Sequence, residues 1–180
     1  MNGTSLPQVH LRAIEPEDLD MLYRIENDVR LWDVSTTNVP YSRYLLHEYV
    51  ANSTGDIYTD KQVRLIIEDQ AGNTVGIADL SDFDPRHNRA EIGLVIEQHY
   101  RHQGYAQAAV IQLHHYAFHV LHLHQLYAII AVANEATLDI FRMMNYRQTA
   151  ILKDWLFDGQ AYADAAVMQI CKDIRNEATQ

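Results

Sequence analysis

Arg101-His102-Gln103-Gly104-Tyr105-Ala106 is the stretch of this 180-residue chain that most invites chemistry. An extended run, Arg89-Ala90-Glu91-Ile92-Gly93-Leu94-Val95-Ile96, leads into it, and a long helical pattern opens at Gly104. The first turn of a helix leaves backbone N–H groups without intrahelical partners, at the positive end of the macrodipole. Such an end takes an anion, and diphosphate is its natural ligand. Gly104 lets the backbone approach phosphate oxygens, Ala106 is too small to push them away, and Arg101 adds positive charge. The R-x-x-G-x-A spacing alone is weak; its place between a strand and a helix gives it meaning. Upstream, strand alternation puts Glu91, Gly93, Val95 and Glu97 on one face and Ile92, Leu94 and Ile96 on the other. Glu91 is then a carboxylate on a central strand, and Gly93 beside it leaves room for a substrate.

The surrounding pattern supplies the elements that must hold these residues. Val9 to Ile14 reads as a strand, and Pro16 suits the first turn of a helix carrying Leu19, Leu22, Ile25 and Val29 on one side. A second helix is predicted from Tyr41 to Val50, with Tyr41, Leu45 and Tyr49 a turn apart. Gln62–Glu68 and Thr74–Leu80 read as strands around the Asp69–Asn73 turn, followed by the strand from Arg89 to Glu97. The long helix spans Gly104 to His122, its apolar stripe made by Ala106, Ala109, Val110, Leu113, Ala117, Val120 and Leu121. Leu126–Val132 is a strand and Glu135–Met144 a helix. Gln148–Phe157 and Ala161–Ile170 form a hairpin about Asp158-Gly159. The order β-α-α-β-β-β-α-β-α-β-β is that of a mixed α/β domain, with 1–8 as a flexible N-terminus, 9–172 as a single domain and 173–180 as a tail.

Composition removes several function classes. Acidic residues number 24 against 14 basic ones, a formal charge of −10, which argues against a nucleic-acid surface and mildly favours cationic substrates. The longest apolar stretches, such as Tyr127–Ala133, are too short to span a bilayer, so no membrane role is expected. With one cysteine, Cys171, no intrachain disulfide can form, which makes a reducing cytoplasmic setting the expectation. His115, His119 and His122 lie opposite the apolar stripe of the long helix without a matching carboxylate or cysteine set, so no metal site is expected.

At these motifs the chain resembles the GNAT superfamily of N-acetyltransferases, whose signature is R/Q-x-x-G-x-G/A. A second motif supports the likeness: Asn134-Glu135-Ala136-Thr137-Leu138-Asp139-Ile140-Phe141-Arg142-Met143-Met144-Asn145-Tyr146 resembles the family's N-x-x-[AS]-x-x-[FY]-[RE]-[KR]-x-G-[FY] helix. The opening Val9-His10-Leu11-Arg12 and the Asp158-Gly159-Gln160-Ala161-Tyr162 hairpin are most like the ribosomal-protein and spermidine acetyltransferase branch. The resemblance implies a mostly antiparallel sheet splayed into a V after the fourth strand and flanked by helices. It implies acetyl-coenzyme A as co-substrate, with pantetheine filling the V as a pseudo-strand. Backbone groups of Leu94, Val95 and Ile96 would pair with the pantetheine amides. Diphosphate would sit on Arg101, His102, Gln103, Gly104, Tyr105 and Ala106, and Asn134 and Phe141 would line the pantetheine arm.

An amine that attacks a thioester must first lose a proton, which calls for a base. In several family members a glutamate in Glu91's position serves; the alternative is a structural carboxylate that pairs with Arg89 or caps a neighbour. Asp79 matches an acid of the spermidine branch and would bind the substrate ammonium, or else is a solvated strand-end acid. Trp32 and Asp33 fall where relatives cover the acceptor pocket, and Trp32 could equally be a core residue. Glutamates are frequent in that loop among spermidine enzymes; Ser35, Thr36, Thr37 and Asn38 stand there in this chain. Phe141 replaces a tyrosine that protonates the departing thiolate in many relatives, although a thiol with a pKa near 8.5 is a tolerable leaving group. Asn145 replaces a glycine, and asparagine tolerates the left-handed conformation that ends the helix. The implied activity is acetyl transfer to a primary amine, with a small amine or polyamine as the preferred acceptor. A protein N-terminus and a non-catalytic acyl-coenzyme A sensor are the alternatives, and a homo-oligomer is compatible with all three.

Overall fold

Charged residues inside β1 (Val9–Ala13) tie the start of the chain to its neighbour. The Arg12 guanidinium donates to both carboxylate oxygens of Asp18, at 2.7 and 2.8 Å, and to Glu68. Asp18 ends a 3-10 turn (Pro16–Asp18), accepts the Glu15 N–H at 2.9 Å and is only 5% exposed. The computed structural model describes residues 5–29, 31 and 39–172. Trp32, Asp33, Ser35, Thr36, Thr37 and Asn38 lie outside the described residues, as do 1–4 and 173–180.

β1 pairs with β2 (Val63–Asp69), which leads antiparallel into β3 (Thr74–Asp84) and β4 (Arg89–Ile96). After the long helix come β5 (Gln125–Ala131), β6 (Arg147–Phe157) and β7 (Tyr162–Cys171), giving the sheet order β1-β2-β3-β4-β5-β7-β6. Every pairing is antiparallel except β4 with β5. That parallel contact has only three rungs, Arg89 to Gln125, Ala90 to Leu126 and Glu91 to Tyr127; beyond them the strands part. The expected splay is present.

Helices cover both faces. On one, α1 (Leu19–Glu26) and α2 (Arg43–Asn52) bury Met21, Leu22, Ile25 and Leu46 against Ile66 and Ile77. On the other, α4 (Tyr105–His115) and α5 (Glu135–Met143) bury Ala109, Val110, Leu113, Leu138 and Phe141 against Val75, Ile92 and Leu126. A short α3 (Ile57–Asp60), capped by Asp56, precedes β2 and has no counterpart in the sequence-based reading.

Three apolar assignments are corrected by the structure. α1 ends at Glu26, so Val29 lies beyond it and is 63% exposed. Ser42 caps α2 by accepting the Leu45 N–H, which turns Leu46 inward and Leu45 outward. The predicted helix to His122 is α-helical only to His115 and continues as a π-turn over Tyr116–Val120. The wider turn rotates the stripe, leaving Ala117 buried and Val120 exposed.

Burial alone would raise the Asp18 pKa, and the Arg12 hydrogen bonds override it, holding the carboxyl below its usual range. The pair therefore stabilises the fold above the ordinary carboxylate pKa, and that contribution is lost as pH falls through the lowered value. Asp18→Ala is expected to remove about 1–3 kcal/mol in urea unfolding at neutral pH, since it takes away two charged hydrogen bonds and leaves the partly buried Arg12 guanidinium with Glu68 as its remaining carboxylate partner. The variant's stability should also vary less than that of the natural chain at acid pH.

Candidate active site

The site forms where β4 and β5 separate. β4 keeps its antiparallel partner β3 through Gly76–Ile96, Ile77–Val95 and Ala78–Leu94, so only its far edge faces the gap. Backbone groups on that edge have no strand partner past Glu91, and a ligand that lies along the gap can pair with them. Leu94, Val95 and Ile96 lie on this stretch of β4, past its last rung with β5.

The loop after β4 turns sharply. Gln98–Tyr100 make one 3-10 turn, and the Arg101 side chain donates to the Ile96 carbonyl at 2.9 Å, tying the loop to the strand end. Gln103 donates to the His99 carbonyl at 2.7 Å, and His102 takes a left-handed φ of 61°. Gly104, at φ 86°, is the N-cap of α4, and no side chain caps that helix. Its first-turn N–H groups are left for a ligand, which is the geometry an anion needs. Tyr105 packs edge-on against Tyr100, with centroids 5.5 Å apart. Leu6 and Pro7 of the N-terminal segment lie against Gly104: a Cβ there would meet them at 3.0 and 3.1 Å. The loop thus fits a diphosphate, and the adjoining gap fits an extended arm with amide groups.

Glu91 sits at the last rung before the gap, half-buried. Burial raises its pKa above the ordinary glutamate value, the Ile129 backbone N–H across the gap opposes that shift, and Asp82 adds to it. Arg89 is paired with Asp84 at 3.2 Å and not with Glu91, whose carboxylate instead accepts from the Ile129 backbone. Beside it, the Tyr127 hydroxyl donates to Asp82 at 3.1 Å, and burial followed by that bond pushes Tyr127 up to about 12. Asp82 itself sits at a β3 irregularity with φ 52°.

Asp79 lies across from Gly93, where a Cβ would stand 3.9 Å from the Asp79 Cβ. Its carboxylate accepts from Arg64 at 2.8 and 3.2 Å, and Arg64 also reaches Glu26 of α1. Tyr49 of α2 places its ring 5.7 Å from the same guanidinium. Burial would lower the Arg64 pKa, but Asp79 and Glu26 outweigh it and keep the group charged. Arg64, Glu26, Asp82 and Tyr127 were missed in the sequence. An arginine within the apolar run Val63-Arg64-Leu65-Ile66-Ile67 was the available signal for the first.

Asn134 caps α5 by accepting the Thr137 N–H at 3.2 Å, which engages its amide oxygen in the helix start. Phe141 is 2% exposed and stacks edge-on against Tyr146 with centroids 4.7 Å apart. The Tyr146 hydroxyl lies 3.0 Å from His114 Nε2. Burial pushes His114 down to about 4, so the ring is neutral at pH 7 and can accept that hydroxyl proton. Asn145 adopts φ 66°, the left-handed end expected where relatives have glycine. Among the described residues, no group of three or more His, Cys, Asp or Glu side chains could hold a metal ion. Nor is any described helix long and apolar enough to cross a membrane.

A cavity of about 380 Å³ lies between the end of α1 and the end of β4, lined by Tyr23, Asn27, Leu31, Val95 and Arg101 among others. It adjoins the gap and can admit an acceptor. A larger hollow of about 590 Å³ lies at the opposite end of β4, between Arg86, His122, His124 and Lys172. Neither Glu91 nor Gly104 lines it, whereas the first cavity shares Val95, Ile96 and Arg101 with the gap and its loop.

Residues 8–147 match the acetyltransferase (GNAT) domain family. The chain is 27% identical over 174 residues to a spermidine N(1)-acetyltransferase of Escherichia coli K12, covering 92% of this chain and 87% of that one. It is 24% identical over 163 residues to the Vibrio cholerae spermidine N(1)-acetyltransferase, covering 91% and 92%. The crystal structure of the Vibrio cholerae spermidine N-acetyltransferase in complex with CoA and spermine superposes with a TM-score of 0.82 at 25% identity, covering 91% of this chain and 95% of that one. Splayed strands, an uncapped glycine-led helix beside them and a family match over most of the chain agree: this protein belongs to the GNAT acetyltransferase family and uses acetyl-coenzyme A as its co-substrate.

Proposed function

We propose that the chain acetylates a primary amine of a small polycationic acceptor, with Glu91 taking the ammonium proton. The observation that carries this reading is a half-buried carboxylate of raised pKa at the vertex of the gap. Bound acetyl-coenzyme A supplies an activated acyl thioester. Leu94, Val95 and Ile96 hold its arm through their backbone, and the Arg101–Ala106 loop holds its diphosphate. Glu91 accepts the proton, and Gly93 keeps the approach open. On the same sheet face, next to the cavity, Glu26, Asp79 and Glu91 stand around Arg64, and among the described residues this cluster has more carboxylates than cations, which suits a cationic acceptor. The spermidine acetyltransferases among its relatives support a polyamine-like acceptor. Asp79 then acts on the ammonium through a charge it shares with Arg64.

If Glu91 is the base, Glu91→Gln should lower kcat about 10²-fold or more at neutral pH with coenzyme affinity nearly intact. The natural enzyme should lose rate as pH falls through a value above the ordinary glutamate range, because protonation removes the base. Near-normal turnover in the variant would make Glu91 structural.

Gly104→Ala should weaken acetyl-coenzyme A by tenfold or more in calorimetry. A side chain at a left-handed position costs about 1–2 kcal/mol, and relaxing it swings the first-turn N–H groups off the diphosphate. Unchanged affinity would place the diphosphate elsewhere.

Phe141→Tyr should raise kcat a few-fold with a good amine acceptor, by returning a proton donor beside the thiolate. A flat or lower kcat, with coenzyme binding intact, would show that leaving-group protonation does not limit the reaction. A chain that binds the coenzyme but releases no thiol with any amine would be a sensor instead.

A further inference from the structure

Three chain segments meet at the far end of β4 and enclose the hollow of about 590 Å³. The turn between β3 and β4 brings Arg86 and His87, the link from the π-turn to β5 brings His122 and His124, and the end of β7 brings Lys172. Backbone bonds lock the three together. The Asn88 carbonyl accepts the His124 N–H at 2.7 Å and the Gln125 N–H at 3.2 Å, and the His124 carbonyl accepts the Lys172 N–H at 2.7 Å. Leu123, 1% exposed, is the only apolar residue of the lining among the described residues. Every titratable group of that lining is a base, one arginine, one lysine and three histidines, in a chain whose formal charge is −10. The adjacent carboxylate, Asp84, is already engaged. It accepts the Arg86 and His87 N–H groups at 2.9 and 3.1 Å and the Arg89 guanidinium at 3.2 Å. Among the described residues, no carboxylate forms a salt bridge with Arg86, His87, His122 or His124.

We propose that this hollow binds an oligophosphate anion, at a site separate from the loop that takes the coenzyme diphosphate. A monovalent anion would answer one of these bases. Successive phosphate groups carry charge on every unit and accept through many oxygens, so one ligand meets guanidinium, ammonium and imidazole donors from three sides. Imidazole gains a second donor when protonated, and a neighbouring anion favours that form. The volume falls within the range of small-ligand sites, about 300–1,000 Å³. A long polyanion would run out over the acidic remainder of the surface, whereas a short one stays within the basic lining. The place also has a mechanical meaning. Asn88 and His124 directly precede the rungs from Arg89–Gln125 to Glu91–Tyr127 that join β4 to β5. Arg86 and His87 stand on the β4 side of that junction, and His122 and His124 on the β5 side. An anion that bridges them braces the vertex of the gap from the end opposite the coenzyme.

Calorimetry on the full chain tests this, with tripolyphosphate as the probe and one equivalent of coenzyme A present to occupy the Arg101–Ala106 loop. One tripolyphosphate should bind per chain, more tightly than inorganic phosphate does, and should raise the unfolding midpoint. Arg86→Gln/His124→Gln removes one base from each side of the junction and should weaken that binding about tenfold or more. Coenzyme affinity and far-UV circular dichroism should stay as in the natural chain. A second pair, His87→Gln/His122→Gln, should lose affinity in the same direction, which separates loss of the site from damage local to the first pair. ATP in place of tripolyphosphate distinguishes two sources of the same chemistry. Equal or weaker affinity assigns recognition to the phosphates alone, and tighter binding adds a nucleoside in the rest of the hollow. The proposal is overturned if neither ligand binds, if tripolyphosphate binds no more tightly than phosphate, or if the Arg86→Gln/His124→Gln variant binds it undiminished.

Discussion

Everything in this fold is arranged around backbone groups left without a partner. Four strands on one side and three on the other would make an ordinary sheet if β4 and β5 stayed together, but they share only the rungs from Arg89 to Glu91. Past that point β4 and β5 no longer pair with each other: the Ile129 N–H meets Glu91 and the Ile96 carbonyl meets Arg101, and the remaining backbone groups of the facing edges have no strand partner among the described residues, which protein interiors rarely tolerate. A ligand with alternating amides meets that need better than water can, because it restores the ladder while excluding solvent. The same parting leaves Glu91 at the boundary between sheet and cleft, dry enough to hold its proton tightly and open enough to exchange it. Affinity for the coenzyme and basicity of the carboxylate thus have one geometric origin.

The acceptor side is governed by a compensated charge. Arg64 is surrounded by Glu26, Asp79 and the Tyr49 ring, contributed by α1, β3 and α2 respectively. Removing either carboxylate would leave a cation poorly solvated, so the cluster also pins two helices to the sheet. A substitution at Asp79 would therefore disturb the packing of both helices on the sheet as well as the local charge, and if Asp79 also meets the amine, as proposed, the two effects arrive together. Effects on KM alone would not separate these roles.

Much of this was legible in the sequence, for identifiable reasons. Gly104 and Asn145 could be placed because left-handed positions admit few residues, and both have positive φ. Glu91 could be assigned to the cleft face because strand alternation is strict. The stripes of the helices were less secure. Ser42 shifts α2 by one residue through a single cap, and the π-turn at Tyr116–Val120 rotates the end of the long helix, neither of which the apolar pattern encodes. Arg64, Asp82 and Tyr127 escaped notice because their partners are 15 to 45 positions away in the chain. The His114–Tyr146 contact, 32 positions apart, is of the same kind. Contacts of that kind follow from register, and register follows from the assembled sheet.

The register of β6 against β7 shifts between Gln148 and Ala150 and again between Leu152 and Leu156, and these two bulges bear on how concentrated this protein can become. A smooth, weakly charged outer strand of eleven residues would template further strands without limit, because nothing in an open edge says when to stop. The bulges twist the strand away from that outcome at two places and set Lys153 beside the second. The irregularities that make β6 a poor template for a fibre are thereby what permits it to carry exposed Trp155 and Phe157 at all.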